Sequence, residues 1–328
     1  MAILVCGGAG FIGSHFVEFL LEQGEAVVVV DNLATGHRAS LPEGPFYQLS
    51  LADKASLAEI FREHDIEAVV HFAAFSLVGE SMDQPLKYFE NNVCATNALL
   101  QVMIEAGCDK LIFSSTAAVY GEAGEALIRE TDPTRPTNAY GESKLMMEKI
   151  IDWAARSSDL RYIALRYFNV AGASAGGRIG EDHRPETHLI PLAIKAALND
   201  QPIKLFGDDY PTPDGTCIRD YIHVQDLVAA HYLALNALRD GAASDTFNLG
   251  YGRGYSVRQI LEAVEAVAKR PLRIVRAPRR AGDPARLVAS ADKIKQALGW
   301  KPRHDDLNDI ILSAYRWFEA NPKGYPHD

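Results

Sequence analysis

The chain has 328 residues, of which 48% are hydrophobic, and a formal net charge of −10 at pH 7. This length allows a two-lobed globular protein with a sizeable core. The negative charge disfavours a non-specific nucleic-acid binder, and no apolar run approaches the length of a membrane span. Because the first residues predict a strand and not a basic secretory signal, we expect a cytoplasmic protein with no nucleic-acid or membrane partner.

The first half of the chain alternates short Val- and Ile-rich runs with segments of helical periodicity. The predicted strands cover residues 3–6, 26–30, 68–72, 110–114 and 162–167. The predicted helices cover residues 11–23, 54–64, 85–106 and 140–155. Near-continuous apolar strands separated by helices are typical of a parallel sheet that is covered on both faces. We therefore predict an α/β fold with a doubly wound parallel sheet (Rossmann) and a second, smaller mixed α/β lobe.

After residue 169 the pattern loosens into loops rich in glycine and proline. We predict a helix over 190–198, a strand over 203–206, a helix over 224–237 and a strand over 246–249 that returns to the main sheet. Two further helices are predicted over 256–269 and 305–320. Residues 1–170, joined by 224–250, are thus expected to form a dinucleotide-binding domain, and residues 171–223 and 251–328 a substrate-binding lobe.

The four cysteines, Cys6, Cys94, Cys108 and Cys217, are scattered along the chain. They show neither CxxC spacing nor a neighbouring histidine cluster, which are common signs of zinc sites. We therefore expect reduced cysteines, no disulfide framework and no bound metal.

Glycines follow the first predicted strand and open the first predicted helix. Gly7, Gly10 and Gly13 belong to the sequence GGAGFIG, whose backbone N–H groups can bind a pyrophosphate at a helix N-terminus. The context of strand, glycine loop and helix strengthens a motif that would be weak alone. The sequence therefore predicts a dinucleotide site.

An acidic residue, Asp31, ends the second predicted strand at the spacing of a carboxylate that accepts hydrogen bonds from the adenosine ribose. This carboxylate would repel a 2′-phosphate, which favours NAD over NADP. His37 and Arg38 follow closely and leave NADP as the alternative.

A tyrosine and a lysine share one helix face in the sequence YGESK, where Tyr140 and Lys144 are four residues apart. A cation beside a phenol favours the phenolate, so we expect Lys144 to lower the pKa of Tyr140 and make it a base. Thr116 follows the predicted strand 110–114, at whose carboxyl end a doubly wound sheet places its ligand crevice. It is the candidate to bind the reacting hydroxyl and relay its proton.

These motifs occur together with others that span nearly the whole chain. They include GGAGFIGSH from Gly7, FSST at 113–116, YGESK at 140–144, RYFN at 166–169 and DGTCIRDYIHV at 214–224. On these residues the chain resembles the extended short-chain dehydrogenase/reductase family, and within it the UDP-glucose 4-epimerases. The last three blocks are far more specific than either generic motif.

This resemblance implies that UDP-galactose and UDP-glucose are interconverted through a 4-keto sugar, with NAD oxidising and then reducing sugar C4. Tyr140 would act as the base, assisted by Thr116 and Lys144. The implied cofactor-binding residues are Gly7, Gly10, Phe11, Ile12, Gly13, Asp31, Asn32, Ser50, Leu51, Phe72, Ala73, Ala74, Asn91, Ser114, Tyr140, Lys144 and Tyr167. The implied substrate-binding residues are Thr116, Tyr140, Phe168, Asn169, His188, Leu189, Phe206, Arg219, Arg280 and Asp283.

Alternatives remain at the sequence level. Leu287 aligns with the position that gates sugar size and matches neither the strict nor the relaxed pattern, so an N-acetylhexosamine or pentose substrate stays open. A nucleotide-sugar dehydratase or decarboxylase is disfavoured because Ala117 and Ala118 stand where dehydratases carry an Asp-Glu pair. A non-catalytic NAD-binding sensor would have no physical need for Thr116, Tyr140 and Lys144. The resemblance also implies a homodimer that pairs through the helices predicted over 85–106 and 140–155.

Overall fold

The computed structural model describes residues 1–122, 124, 126–280 and 283–326. Its strands are, in chain order, β1 (Ala2–Cys6), β2 (Val27–Asp31), β3 (Phe46–Gln48), β4 (Ile66–His71), β5 (Lys110–Thr116), β6 (Arg161–Tyr167), β7 (Asn169–Ala171), β8 (Pro202–Phe206), β9 (Ile218–Arg219), β10 (Tyr221–His223), β11 (Asp245–Leu249), β12 (Tyr255–Ser256), β13 (Arg273–Ala277) and β14 (Arg286–Leu287).

The α-helices are α1 (Phe11–Glu22), α2 (Lys54–Glu63), α3 (Val78–Asp83), α4 (Pro85–Tyr88), α5 (Ala95–Glu105), α6 (Ala139–Arg156), α7 (Leu189–Asn199), α8 (Val224–Arg239), α9 (Val257–Ala268), α10 (Asp292–Leu298) and α11 (Leu307–Ala320). Single-turn 3₁₀ segments cover Arg38–Ser40 and Ala117–Tyr120. Among the helices of the described residues, none is both long enough and apolar enough to cross a membrane.

Seven strands form the central sheet in the order β11-β6-β5-β4-β1-β2-β3, and every pair of neighbours is parallel. Strand residues alternate between two buried cores, because successive side chains point to opposite faces. Ile3 and Val5 join the core that contains α1 and α8, whereas Leu4 and Cys6 join the core beneath α2, α5 and α6. The predicted doubly wound α/β fold is confirmed.

Residues between β6 and α8, together with those after β11, build the smaller part of the molecule. In it α7, α9 and α11 pack against one another, and the short sheets β8–β13 and β12–β9–β14 lie alongside. Ser256 starts α9 with a reciprocal capping box, in which its hydroxyl accepts from the Gln259 N–H. β11 pairs with β6 at the edge of the main sheet, as we expected for the strand predicted over 246–249.

The helix predicted over 85–106 is not uniform. It begins with α4, continues as a π-helical segment over Phe89–Cys94 and ends as α5. The periodicity of the sequence did not predict this wider turn, nor the two- and three-residue strands, which are too short to show a period. π-Helical turns often occur at functional sites, and here Asn91 lies on this turn and faces the main cleft.

Candidate active site

A cleft of about 460 Å³ opens at the carboxyl ends of the central strands, the place where doubly wound sheets bind ligands. It brings together residues that are far apart in sequence. The predicted site residues that line it are Gly7, Gly10, Phe11, Ile12, Gly13, Asp31, Asn32, Ser50, Leu51, Phe72, Ala73, Ala74, Asn91, Thr116, Tyr140, Lys144, Tyr167, Phe168, Asn169, His188, Leu189, Arg219 and Asp283.

The glycine loop is shaped by close backbone approaches. Gly7 has a positive φ of 79°, and a Cβ there would lie 2.5 Å from the backbone nitrogen of Ala73. A Cβ on Gly13 would lie 2.1 Å from the carbonyl oxygen of Gly7. Gly10, by contrast, would meet only an ordinary contact at 3.5 Å, and it faces the cleft. The loop therefore presents bare backbone to the cleft, as a pyrophosphate cradle requires.

Asp31 is buried at the end of β2 and holds this loop. One carboxylate oxygen accepts from the Ala9 N–H at 2.9 Å, and the other accepts from the Leu33 N–H at 2.8 Å. Burial raises the pKa of Asp31, and these two backbone N–H groups oppose the rise. The carboxylate thus fixes the loop as well as facing the part of the cleft that is lined by Asn32 and Ser50.

Tyr140 and Thr116 meet although they come from different elements. Tyr140 lies in the first turn of α6, whose N-cap Asn138 accepts from the Gly141 N–H at 2.8 Å, and Thr116 ends β5. Burial raises the pKa of Tyr140, and a hydrogen bond with the Thr116 side chain opposes the rise. This direction is contrary to the lowering that we expected from Lys144. The physical reason is that a buried phenolate loses hydration.

Lys144 is buried and its ammonium is held by the backbone. Its Nζ donates to the carbonyl oxygen of Ser114 at 2.8 Å and lies 5.0 Å from the centroid of the Phe113 ring. Burial lowers the pKa of Lys144 to about 7, while the charge of Glu148 opposes this change. Lys144 therefore lies in the same cleft as Tyr140, with its charge directed at the end of β5.

Ser114 lies behind the cleft and not in its wall. Besides its carbonyl contact with Lys144, its hydroxyl is 2.9 Å from Nε2 of His231 and accepts from the Tyr167 hydroxyl at 3.2 Å. Burial lowers the pKa of His231 to about 4, so the ring is neutral. The sequence prediction missed His231, and the only signal was a polar residue on the apolar face of α8.

A buried ion pair between Glu148 and Arg166 connects α6 to β6. Arg166 of β6 donates to both oxygens of Glu148 at 2.8 and 2.6 Å, and the Ser115 hydroxyl donates to the same carboxylate. Arg166 also donates to the Tyr120 hydroxyl at 2.8 Å. Glu148 lies one helical turn after Lys144, so this pair fixes the helix that carries Tyr140 and Lys144. Sequence reasoning did not single out Glu148.

The substrate end of the cleft is only partly as predicted. Arg219 forms an ion pair with Asp283, and both line the cleft. Arg280 instead stacks on the Phe206 ring, 4.1 Å from its centroid, and neither residue is among those that line the cleft. Ala281 and Gly282, between Arg280 and Asp283, lie outside the described residues. His183, which we did not predict, lines the cleft beside His188.

Ala117 and Ala118 also line the cleft directly after Thr116. They belong to the 3₁₀ turn that follows β5, and the Thr116 hydroxyl accepts from the Ala118 N–H at 3.2 Å. Methyl groups therefore face the cleft at the two positions where, by the family resemblance, dehydratases carry an Asp-Glu pair.

Comparison with known proteins connects this geometry to characterised relatives. Residues 3–250 match the model of the NAD dependent epimerase/dehydratase family. The UDP-glucose 4-epimerase of Streptococcus mutans is 55% identical over 329 residues, which cover 99% of each chain. A crystal structure of a UDP-glucose 4-epimerase superposes with a TM-score of 0.97 at 56% identity and full coverage of both chains.

A further solved structure shows ligands in a related fold. The UDP-glucose 4-epimerase of Bifidobacterium longum, in complex with NAD⁺ and UDP, is 38% identical, with a TM-score of 0.93 over 99% of this chain and 100% of that one. Such matches span the whole molecule and not a shared nucleotide-binding half. From the cleft, its motifs and these matches, the chain belongs to the NAD dependent epimerase/dehydratase family.

Proposed function

We propose that this chain is a UDP-glucose 4-epimerase that interconverts UDP-galactose and UDP-glucose through a 4-keto sugar. The observation that carries the proposal is the meeting of Thr116 and Tyr140 beside the glycine loop in one cleft. The full-length likeness to proteins of that activity supports the same substrate class.

The chain's own groups suggest how the proton moves. Tyr140 takes the proton of the sugar 4-hydroxyl and returns it after the sugar has turned over in the cleft. Thr116, which lines the cleft with Tyr140, holds the reacting hydroxyl in line. When bound, NAD supplies a reversible hydride acceptor and a cationic ring that favours the phenolate. The glycine loop and Asp31 would hold the cofactor, with the Lys144 ammonium near its nicotinamide end.

The nucleotide-sugar end is assigned to a second group of cleft residues. Phe168 and Asn169 come directly after β6, His188 and Leu189 lie at the start of α7, and all four line the cleft. Arg219 of β9 lines it as well. Arginine's planar guanidinium suits diphosphate oxygens. We assign residues 1–170 and 224–250 to the NAD lobe and residues 171–223 and 251–328 to the substrate lobe.

Substitution of the base tests the proposal. Tyr140→Phe removes the hydroxyl and keeps the ring, so we expect epimerisation of UDP-galactose to fall at least about 100-fold while NAD stays bound. Tyr315→Phe on α11, away from the cleft, is the matched control. Turnover would be followed by separating the two UDP-sugars and bound NAD by its absorbance after denaturation. A fully active Tyr140→Phe enzyme would refute the proposed chemistry.

The choice of sugar rests on Leu287, which lines the cleft. The Leu287 side chain is neither as bulky as in the strict members of the family nor as small as in the relaxed ones. We assign UDP-glucose, and UDP-N-acetylglucosamine and UDP-xylose are the competing substrates. Activity on either of these with none on UDP-galactose would replace the assigned substrate without changing the reaction.

We propose that the protein works as a cytoplasmic homodimer. Six large apolar side chains are exposed on neighbouring helices α3 to α6, namely Val78, Met82, Leu86, Ile104, Met146 and Trp153. Leu86 is 78% exposed and Trp153 is 68% exposed. Exposed apolar patches commonly mark protein interfaces, and this one lies on the helices through which the related enzymes are expected to pair.

A further inference from the structure

Two histidines and two glutamates converge in the segment that leads into α7. Glu181, His183, Glu186 and His188 each offer one nitrogen or oxygen atom, and all four atoms lie within 4.8 Å of one another. The Glu181 and Glu186 side chains are only 3% and 6% exposed. Two buried carboxylates so close together need positive charge between them.

The distances in this cluster are near those of a metal's coordination shell. His183 Nδ1 lies 3.1 Å from the Glu181 carboxylate and 3.8 Å from the Glu186 carboxylate. His188 Nδ1 contacts the Glu181 carboxylate and lies 4.0 Å from that of Glu186. Metal–ligand bonds of about 2.0–2.1 Å in tetrahedral geometry place neighbouring ligand atoms about 3.3 Å apart. Small movements of the four side chains would therefore bring their ligand atoms to the separations of a metal coordination shell.

Two atoms in the cluster have no hydrogen-bond partner among the described residues. Glu186 Oε2 is buried and unpaired, although Oε1 of the same carboxylate accepts from the Thr187 and His188 N–H groups at 2.8 and 2.9 Å. His183 Nδ1 is also buried and has no hydrogen-bond partner that meets the geometric criteria, although it lies 3.1 Å from the Glu181 carboxylate. The backbone thus holds Glu186 in place through Oε1, the oxygen from which the two histidine distances are measured, and leaves Oε2 of the same carboxylate without a partner among the described residues.

The surrounding contacts hold the segment rigidly. Asp182 accepts from Arg184 at 2.8 Å and from the Tyr325 N–H at 3.0 Å, and its carbonyl oxygen is 2.8 Å from Nε2 of His37. Asp182 lies between Glu181 and His183 in the chain, so these contacts anchor the backbone that carries two of the four ligands. A charged cluster on a loop with no such anchors would be a weaker candidate.

We propose that Glu181, His183, Glu186 and His188 form a binding site for a divalent transition metal ion, with Zn²⁺ as the best match. Two imidazole nitrogens disfavour Mg²⁺ and Ca²⁺, which prefer oxygen ligands, and no thiolate is present to favour a softer metal. Two carboxylates and a dication are neutral together. Because His183 and His188 line the cleft, the ion stabilises the part of the cleft wall that precedes Leu189, another lining residue.

The test measures metal and not sugar conversion, so it is independent of the proposed epimerase activity. The full-length protein, stripped with a chelator and dialysed, would be titrated with ZnCl₂ by calorimetry and its metal content measured after gel filtration. We expect one Zn²⁺ per chain and a rise in melting temperature. Glu186→Gln and His188→Asn should each weaken binding at least tenfold.

The matched control is a Glu/His pair on the distant end of α2. Glu63 and His64 both contact the Tyr47 hydroxyl and lie outside the cleft, so Glu63→Gln and His64→Asn should leave Zn²⁺ binding unchanged. Because Glu186 is buried, circular dichroism would first establish that its variant is folded, and the partly exposed His188 gives a second variant. Absence of stoichiometric Zn²⁺ binding, or equal binding in all variants, would overturn the proposal. The cluster would then be a set of ion pairs between protonated histidines and glutamates.

Discussion

At the scale of single residues, the glycine loop shows how the absence of a methyl group creates a binding surface. Gly13 allows the first turn of α1 to pack on the Gly7 carbonyl, whereas Gly10 leaves the cleft side open. The spacing of these glycines was enough to predict the loop, because only a few backbone shapes place three glycines in this way between a strand and the first turn of a helix.

The substitution Gly13→Ala should damage this loop. Its Cβ would lie 2.1 Å from Gly7 O and 2.8 Å from the Gly8 Cα, and backbone atoms cannot move aside cheaply. We expect a loss of stability of about 1–3 kcal/mol and a large drop in bound NAD. Melting curves and the absorbance of released nucleotide would measure both.

The control for this change is Gly79→Ala in α3. A Cβ there meets nothing within 4 Å, so the alanine should leave NAD binding unchanged and raise helix stability slightly. A Gly13→Ala protein that melts and retains NAD like the unmodified chain would contradict the packing argument.

At the scale of elements, α6 owes its position to more than its apolar face. Tyr140 and Lys144 were predictable from their four-residue spacing, which the helix period converts into a shared face. Glu148 continues that face of α6, but its partner Arg166 lies in a strand, β6. Sequence spacing cannot show which strand will pack against the helix. The ion pair is therefore visible only once β6 is placed.

We expect Glu148→Gln to destabilise the protein by about 3–5 kcal/mol, because the shape is kept while the buried Arg166 loses its opposite charge. Urea unfolding would measure the change in the free energy of unfolding. Glu262→Gln on the exposed face of α9 serves as the comparison and should change it by less than about 0.5 kcal/mol. Equal effects from both substitutions would show that the pair contributes little.

At the scale of the whole molecule, the oligomeric state depends on a surface that several helices form together, and the response to pH depends on side chains buried between elements.

If the patch on α3 to α6 is the dimer interface, Leu86→Lys should convert the protein into a monomer because it places a charge on apolar contact area. Light scattering coupled to gel filtration gives the mass directly. Val275→Lys on β13 adds the same charge to an exposed apolar position elsewhere and should leave the dimer intact. A monomeric unmodified chain would rule out this assembly.

Buried histidines set the response to acid. Burial lowers the pKa values of His15 and His231 to about 4 and those of His71 and His223 to about 3. These values lie below the unfolded value of about 6.5, so the unfolded chain binds more protons once the pH falls below 6.5. The free energy of unfolding should then decrease by up to about 1.4 kcal/mol per pH unit for each histidine, between pH 6.5 and the folded-state values.

Urea unfolding at pH 7.5, 6.5, 5.5 and 4.5 would test this dependence. Stability that stays level from pH 6.5 down to pH 4.5 would contradict this prediction.

The sequence by itself determined the alternation of strands and helices, the glycine loop, Asp31 and the Tyr140–Lys144 pair, because each depends on local spacing along the chain. Tertiary structure alone decided which distant residues share a space. In the tertiary structure Ser114 lies behind the cleft and Arg280 stacks on Phe206. Two glutamates and two histidines lie close together before α7. These placements depend on how loops that lack a hydrophobic period pack against the sheet. Burial also depends on tertiary structure, and it raises the pKa of Tyr140, whereas the neighbouring lysine in the sequence suggested a lower value.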